Sequence, residues 1–318
     1  MISYVVRRLL AAIPVIVLAS IPVFLVIHMA EGDPVLMLLG VEAPTETIEA
    51  MRERLGLNLP LWRQYLRWAA GVVTGDFGRS VMSDFTVREL LVSRIPATLS
   101  LAVVAMMMAI AISFPLGIFT ALQRGRWFDR FVSIVTSVAI SIPHFWLGIL
   151  LVLLFAVNLN WLPAGGYVSP AESPLRFAQL VFMPALTLSL YMAAILTRFV
   201  RTSMAEILTE DYIRTARSKG VPGRLIVTRH ALRNALIPVV TALGVHFGRL
   251  LSGTIIVEVI FAWPGLGQLM LGAINNRDFP VVQATFLVFI VLVIVSNLVT
   301  DILYSVIDPR IRLHGAAK

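Results

Sequence analysis

RFVRTSMAEILTEDYIRTARSKGVPGRLIVTRHALRNALIP, Arg198–Pro238, is a hydrophilic stretch of about forty residues between two runs apolar enough to cross a bilayer. It carries eight of the chain's 26 Lys and Arg residues. The pattern reads as short helices interrupted at Gly220 and Pro222. Glycine accepts the positive φ that closes a helix, and proline cannot continue one. Glu206–Tyr212 extends the preceding span, and Ile213–Lys219 forms a short helix presenting Arg214, Arg217 and Lys219. Leu225–Leu236 then climbs back towards the membrane, with Arg229 and Arg233 one turn apart. A basic helical platform suspended between two spans is the mark of an all-α, polytopic membrane protein.

The remainder of the chain fits that class. Of 318 residues, 58% are hydrophobic and 14% charged, against roughly 25% charged in an average soluble domain. The mean hydropathy is +0.87. Six runs suit a hydrocarbon core that takes about 20 helical residues to cross: 9–29, 97–122, 131–157, 179–200, 235–257 and 282–306. The first follows Arg7 and Arg8 but is longer than a signal-peptide core. No small-x-small cleavage site follows it, so it reads as a retained span.

Loop charge sets the orientation. The N-terminus, the 123–130 turn, the 198–234 loop and the tail together hold sixteen Lys and Arg. The short loops of the opposite side hold only Arg176 and Arg277. Both termini and the basic loop are therefore expected in the cytoplasm. Three segments follow: the cytoplasmic N-terminus and first span (1–29), an extracytoplasmic helical segment (30–96), and a five-helix core (97–318) with a cytoplasmic loop at 201–234. The formal charge of +8 is placed where topology needs it, so the expected partner is lipid and not nucleic acid.

Within 30–96, Glu46 and Glu49 open a helix that Gly56 ends, and after Pro60 the residues Trp62, Tyr65, Leu66 and Ala69 form an amphipathic helix suited to the membrane surface. GDFGRS (75–80) is a turn, and Thr86–Ser93 a further short helix. Pro14, Pro22, Pro115, Pro143, Pro184 and Pro238 fall inside spans, where each removes a hydrogen bond and bends or opens its helix.

The chain has no cysteine, and its five histidines lack metal-binding spacing, so no metal site is expected. A phosphate-binding loop needs Gly-Lys-Ser/Thr, yet the only lysines, Lys219 and Lys318, do not follow glycine. No nucleotide cofactor is expected on this chain, and no nucleophile–base set suggests an enzyme. An ion-coupled carrier would need an acid in mid-span, and none is found there. Polar groups in hydrocarbon mark either a pathway or a packed interface. His246 and Arg249, one turn apart in the fifth span, are open to both readings. Glu258 stands at the outer end of that span, as rim decoration or as a contact for a delivery protein.

On charge alone the basic loop could simply face anionic headgroups. Its wording points further. Tyr212-Ile-Arg-Thr-Ala-Arg-Ser-Lys-Gly220 followed by Arg229-His-Ala-Leu-Arg-Asn-Ala-Leu-Ile-Pro238 resembles the coupling loop of permeases in binding-protein-dependent ABC importers, specifically the peptide/nickel branch. The general importer pattern has Glu-Ala-Ala where this chain has Arg214-Thr215-Ala216, as the peptide branch does. Further similarities run through Glu31-Gly-Asp-Pro34, Gly75-Asp-Phe-Gly78, Arg94-Ile-Pro-Ala-Thr98, Ser141-Ile-Pro-His-Phe-Trp146, Leu162-Pro-Ala-Gly-Gly166, Trp263-Pro-Gly-Leu-Gly267, Asn276-Arg-Asp-Phe-Pro280 and Asp308-Pro-Arg-Ile-Arg312.

The resemblance implies a type I importer permease fold in a prokaryotic inner membrane, and the first of two homologous permeases. It also implies two cytoplasmic ATPase subunits that carry ATP and Mg, and a substrate-binding protein that delivers peptides. Nickel chelates, glutathione and oligosaccharides stay open as cargo. Tyr212, Ile213, Arg214, Thr215, Ala216, Arg217, Lys219 and Gly220 would couple the chain to the ATPases, and His246, Arg249 and Glu258 would belong to the pathway.

Overall fold

The computed structural model describes residues 2–29, 35 and 44–307. The Glu31–Pro34 motif, Asp308–Arg312 and Lys318 lie outside the described residues. In chain order the helices are α1 (Ile2–Met29), α2 (Thr45–Leu55), α3 (Leu61–Thr74), α4 (Val87–Leu122), α5 (Trp127–Ser141), α6 (His144–Leu151), α7 (Pro174–Ile207), α8 (Asp211–Ser218), α9 (Leu232–Ile260), α10 (Leu266–Asn275) and α11 (Phe279–Ile307). Wider π-helical turns extend α6 over Val152–Asn158 and lead into α9 over Ile226–Ala231. Among the described residues, five stretches are long and apolar enough to cross a membrane: Val6–Leu25, Val87–Leu122, Pro174–Ile207, Pro238–Ile260 and Phe279–Ile302. A bent pair, Trp127–Ser141 with His144–Asn158, makes a sixth crossing if counted as one span.

That pair corrects the expectation of one helix over 131–157. The chain bends through 99° between its two arms. Ile142 adopts φ −79°, ψ 123°, an extended conformation, because Pro143 disfavours the helical region for the residue before it. The second span also differs from expectation, since the short helix expected over Thr86–Ser93 is simply its first turns. The Thr86 hydroxyl accepts the Glu89 N–H at 3.3 Å while the Glu89 carboxylate accepts the Thr86 N–H at 2.8 Å. This reciprocal cap starts a helix that runs on through Pro96. The fourth span is likewise one helix, opened by Ser173, whose hydroxyl accepts the Arg176 N–H, and by Pro174 at its first position. It stops at Ile207, earlier than the extension to Tyr212 that the sequence suggests.

The chain forms two compact units. One comprises Pro96–Gln268 and the part of α11 from Leu292. At its centre is α7, with 72% of its apolar window buried. Ala97, Leu101, Ala105 and Ala109 of α4 pack in the same core as Met183, Leu188, Met192 and Leu196 of α7 and Leu250, Leu251 and Val257 of α9. The small α4 side chains allow the close approach that drives helix association in lipid, where no hydrophobic force acts between helices.

The other unit comprises Val6–Ile95 and Leu269–Val291. Here α3 sits against α1: the Tyr65 and Ser20 hydroxyls are 2.8 Å apart, and Phe24 lies edge-on to Tyr65 with ring centroids 5.5 Å apart. Gln283 of α11 donates to the carbonyl oxygens of Val23 and Phe24 at 3.3 and 3.2 Å. Gly56 and Gly75 close α2 and α3 in the left-handed conformation.

Candidate functional site

The basic stretch folds into a knob on α8. Glu210 ends the turn after α7, and Asp211 sits in the first turn of α8, where its charge faces the positive end of the helix dipole. The helix therefore begins two residues earlier than expected. Its C-terminus is closed by paired bonds, Val221 N–H to the Ala216 carbonyl at 3.1 Å and Gly220 N–H to the Arg217 carbonyl at 3.0 Å. That arrangement requires the positive φ that Gly220 adopts, 76°.

One face of α8 is an anchor. Ile213 is fully buried in a cluster with Ala121 of α4, Val200 and Met204 of α7, and Ile226, Ala231, Ala235 and Val239. Burial of such a side chain is worth roughly 1.5–3 kcal/mol, enough to seat a helix too short to be stable alone. Ala216 is half-buried beside it, whereas Tyr212, Arg214, Thr215, Arg217, Lys219 and Gly220 are exposed. The Tyr212 hydroxyl accepts a hydrogen bond from Asn234 Nδ2 at 2.8 Å, bracing the knob against the first turn of α9. Arg214 lies 3.5 Å from Asp211, an exposed pair whose contribution is small. The exposed face is thus a rigid, mainly cationic surface.

Behind the knob stands a pair that sequence reasoning missed. Arg201 of α7 holds Asp129 of α5 through two bonds, Nε to Oδ1 at 2.6 Å and a terminal nitrogen to Oδ2 at 2.9 Å. Asp129 is buried, and its Oδ2 also accepts the Gly125 N–H at 2.9 Å. Arg198, one turn before Arg201, donates to the Ser137 hydroxyl at 2.6 Å. The available signal was one acid among three arginines in the 123–130 turn. Ser137, Ser141, Pro143, Phe145 and Trp146 line a shallow groove at the α5–α6 bend.

The three pathway candidates are not brought together. His246 is buried against the Phe199 ring, centroids 6.1 Å apart, and its Nδ1 has no hydrogen-bond partner among the described residues. Arg249, one turn on, is exposed. Glu258 lies about 18 Å further along the α9 axis from His246. It is neither rim decoration nor a free surface contact, because it is fully buried. Its Oε1 accepts from the Thr98 hydroxyl at 2.7 Å, and its Oε2 accepts the N–H groups of Gly267 and Gln268 at 2.7 and 3.1 Å. The carboxylate thereby caps the start of α10. A Cβ at Gly265 or Gly267 would strike this carboxylate, which explains both glycines of Trp263-Pro-Gly-Leu-Gly267. Trp263 closes the joint by donating from Nε1 to the Ala97 carbonyl at 2.8 Å.

Comparison with known proteins bears on this arrangement. Residues 113–313 match the family described as binding-protein-dependent transport system inner membrane component, and residues 1–102 match the N-terminal model of the same system. The chain belongs to that family. It is 44% identical to the glutathione transport system permease protein GsiC of Escherichia coli K12, over 98% of this chain and 99% of that protein. The GsiC of Shigella dysenteriae serotype 1 gives the same values. Among solved structures, inward-facing crystal forms of the MetNI methionine ABC transporter align with TM-scores of 0.58 and 0.56 at 21% and 22% identity. Each alignment covers 69% of this chain and 96% of the other. That likeness establishes the fold of an ABC importer permease. As a member of the family, this chain is a membrane-embedded permease component of a binding-protein-dependent importer in the inner membrane.

Proposed function

We propose that this permease forms, with a homologous second permease, the path by which peptides delivered by an extracytoplasmic binding protein enter the cell. Two cytoplasmic ATPase subunits supply the energy, and ATP and Mg bind there. The observation that carries the reading is the α8 knob: a short helix pinned from behind by Ile213 and offering Tyr212, Arg214, Thr215, Arg217 and Lys219 to a soluble partner. Ile213, Ala216 and Gly220 give that contact its rigidity. Both termini and the 201–234 loop lie in the cytoplasm. The 30–96 segment meets the binding protein on the outer side.

In this mechanism, ATP-driven closure of the ATPases displaces α8. The kinked spans tilt, and the cavity opens outward to accept cargo. Arg249 belongs to the path, where a cation offsets a peptide carboxylate in a medium that penalises lone charge, and the buried His246 backs it one turn before. A narrower reading makes glutathione, itself a tripeptide, the cargo. The 44% identity to GsiC along almost the whole chain favours it.

Reconstitution of the permease pair with its ATPases and binding protein in liposomes tests the proposal. Uptake of a labelled dipeptide or of glutathione is expected only with ATP, both ATPases and the binding protein present. Gly220→Phe, which forces a side chain onto a positive-φ position, is expected to leave ATP hydrolysis running while uptake falls. Uptake by the permeases alone, driven by an ion gradient, would overturn the reading.

A further inference from the structure

Arg201 stands between Val200 and Met204, the two α7 side chains that pack with Ile213 of the knob. Whatever moves α8 therefore reaches the inner end of α7, at the turn that holds Asp129, as well as the Ile226–Ala231 turn and the start of α9. A guanidinium held by both carboxylate oxygens resists rotation as well as separation, because two parallel bonds fix its plane. The Gly125 N–H on the same carboxylate ties in the turn that precedes α5. A second attachment, Arg198 to Ser137, lies eight residues further along α5, about 12 Å up its axis. Two attachments at that separation leave α5 no free rotation against α7. Beyond Ser137 only one further turn of α5 remains, to Ser141. Helical geometry ceases at Ile142, and the chain turns through 99° into α6.

We propose that α5 is an inner gate arm, clamped to the inner end of α7 by Asp129–Arg201 and Ser137–Arg198, and swinging with it about the Ile142–Pro143 joint. Asp129 and Arg201 are positioning residues: they touch no cargo and act by making α5 follow α7. The arm carries the exposed Ser137 and Ser141, so its swing changes what the inner half of the path presents to cargo. This inference rests on the reading of α8 as the point where the ATPases push.

The test uses the complete transporter in liposomes, with uptake and ATP hydrolysis measured together. Asp129→Asn keeps the shape of the side chain but removes the charge and one acceptor. It is expected to leave ATP hydrolysis within about twofold and to lower peptide taken up per ATP by at least about tenfold, inside the range that couplings between sites span. An unchanged ratio, even with a lower melting temperature, would overturn the proposal.

A second arm covers the case in which that variant does not assemble. The chain has no cysteine, so Ser137→Cys with Arg198→Cys can be bridged selectively by a short thiol-reactive linker. If α5 and α7 travel as one piece, bridging leaves uptake at or above its unbridged level. Loss of uptake on bridging means that the helices slide past each other, and the clamp is wrong. Absence of ATP-dependent uptake in the unsubstituted transporter would defeat the importer reading itself. ATP-dependent uptake that Asp129→Asn leaves fully coupled defeats only the clamp.

Discussion

Glu258 and Asp129 show what a single side chain contributes when its partners lie far away in the chain. Thr98 is 160 positions from Glu258, and Arg201 is 72 from Asp129. Neither pairing leaves a periodic trace in the sequence, which is why Glu258 reads there as a mouth residue and Asp129 as nothing at all. Gly220 was legible for the opposite reason, because a glycine before Val-Pro has one conformational job, whereas Ile213, expected as a coupling residue, is buried as the anchor of the knob. The Glu258 joint makes a quantitative prediction. Glu258→Ala strands the buried Gly267 N–H, the half-buried Gln268 N–H and the hydroxyl proton of Thr98, a buried donor costing about 1–3 kcal/mol when unpaired. The detergent-purified permease complex is expected to melt well below the parent. Glu258→Gln, which retains one good acceptor, is expected to fall between them. Equal melting temperatures for all three would show that the carboxylate does not hold α10 in place.

At the level of helices, composition and length located most of the spans, since an apolar run of about 20 residues has few other uses. The internal breaks were harder to read. Of the six prolines inside apolar runs, Pro14, Pro22, Pro115, Pro184 and Pro238 lie within continuous helices, while the third span folds sharply at Pro143. At Pro143 the residue before the proline, Ile142, turns extended. Replacing Pro143 by alanine removes the steric bar on Ile142 and restores an N–H that can bond four residues back. Spin labels at 131 and 153, one on each arm, are expected to move apart in Pro143→Ala as the arms straighten. Peptide uptake is expected to fall while the complex stays assembled. An unchanged separation would assign the bend to packing around it and not to the proline.

For the whole molecule the governing question is where charge can reside in a chain that lives in lipid. In the sequence the basic residues fall on alternate connections between spans, the pattern expected of a cytoplasmic face. Arg249 breaks the pattern: it is exposed in mid-span, between the buried His246 and Leu250. A charged group at that depth costs at least about 2.5–3.5 kcal/mol against lipid, so its exposure argues for water or a second subunit beside it. Those two surroundings separate experimentally in the assembled transporter. Arg249→Cys is expected to react with a membrane-impermeant thiol reagent, because a wet path admits it. Peptide delivered by the binding protein is expected to slow that reaction at least about threefold by occupying the same space, a change in free energy of order RT. A control cysteine at Val245, equally exposed but one turn below, distinguishes a path from a uniformly wet face. Protection by peptide at 249 and none at 245 would place the cargo route along one stripe of α9. A cysteine at 249 that never reacts would put the arginine against the neighbouring permease, with its charge held by a partner there.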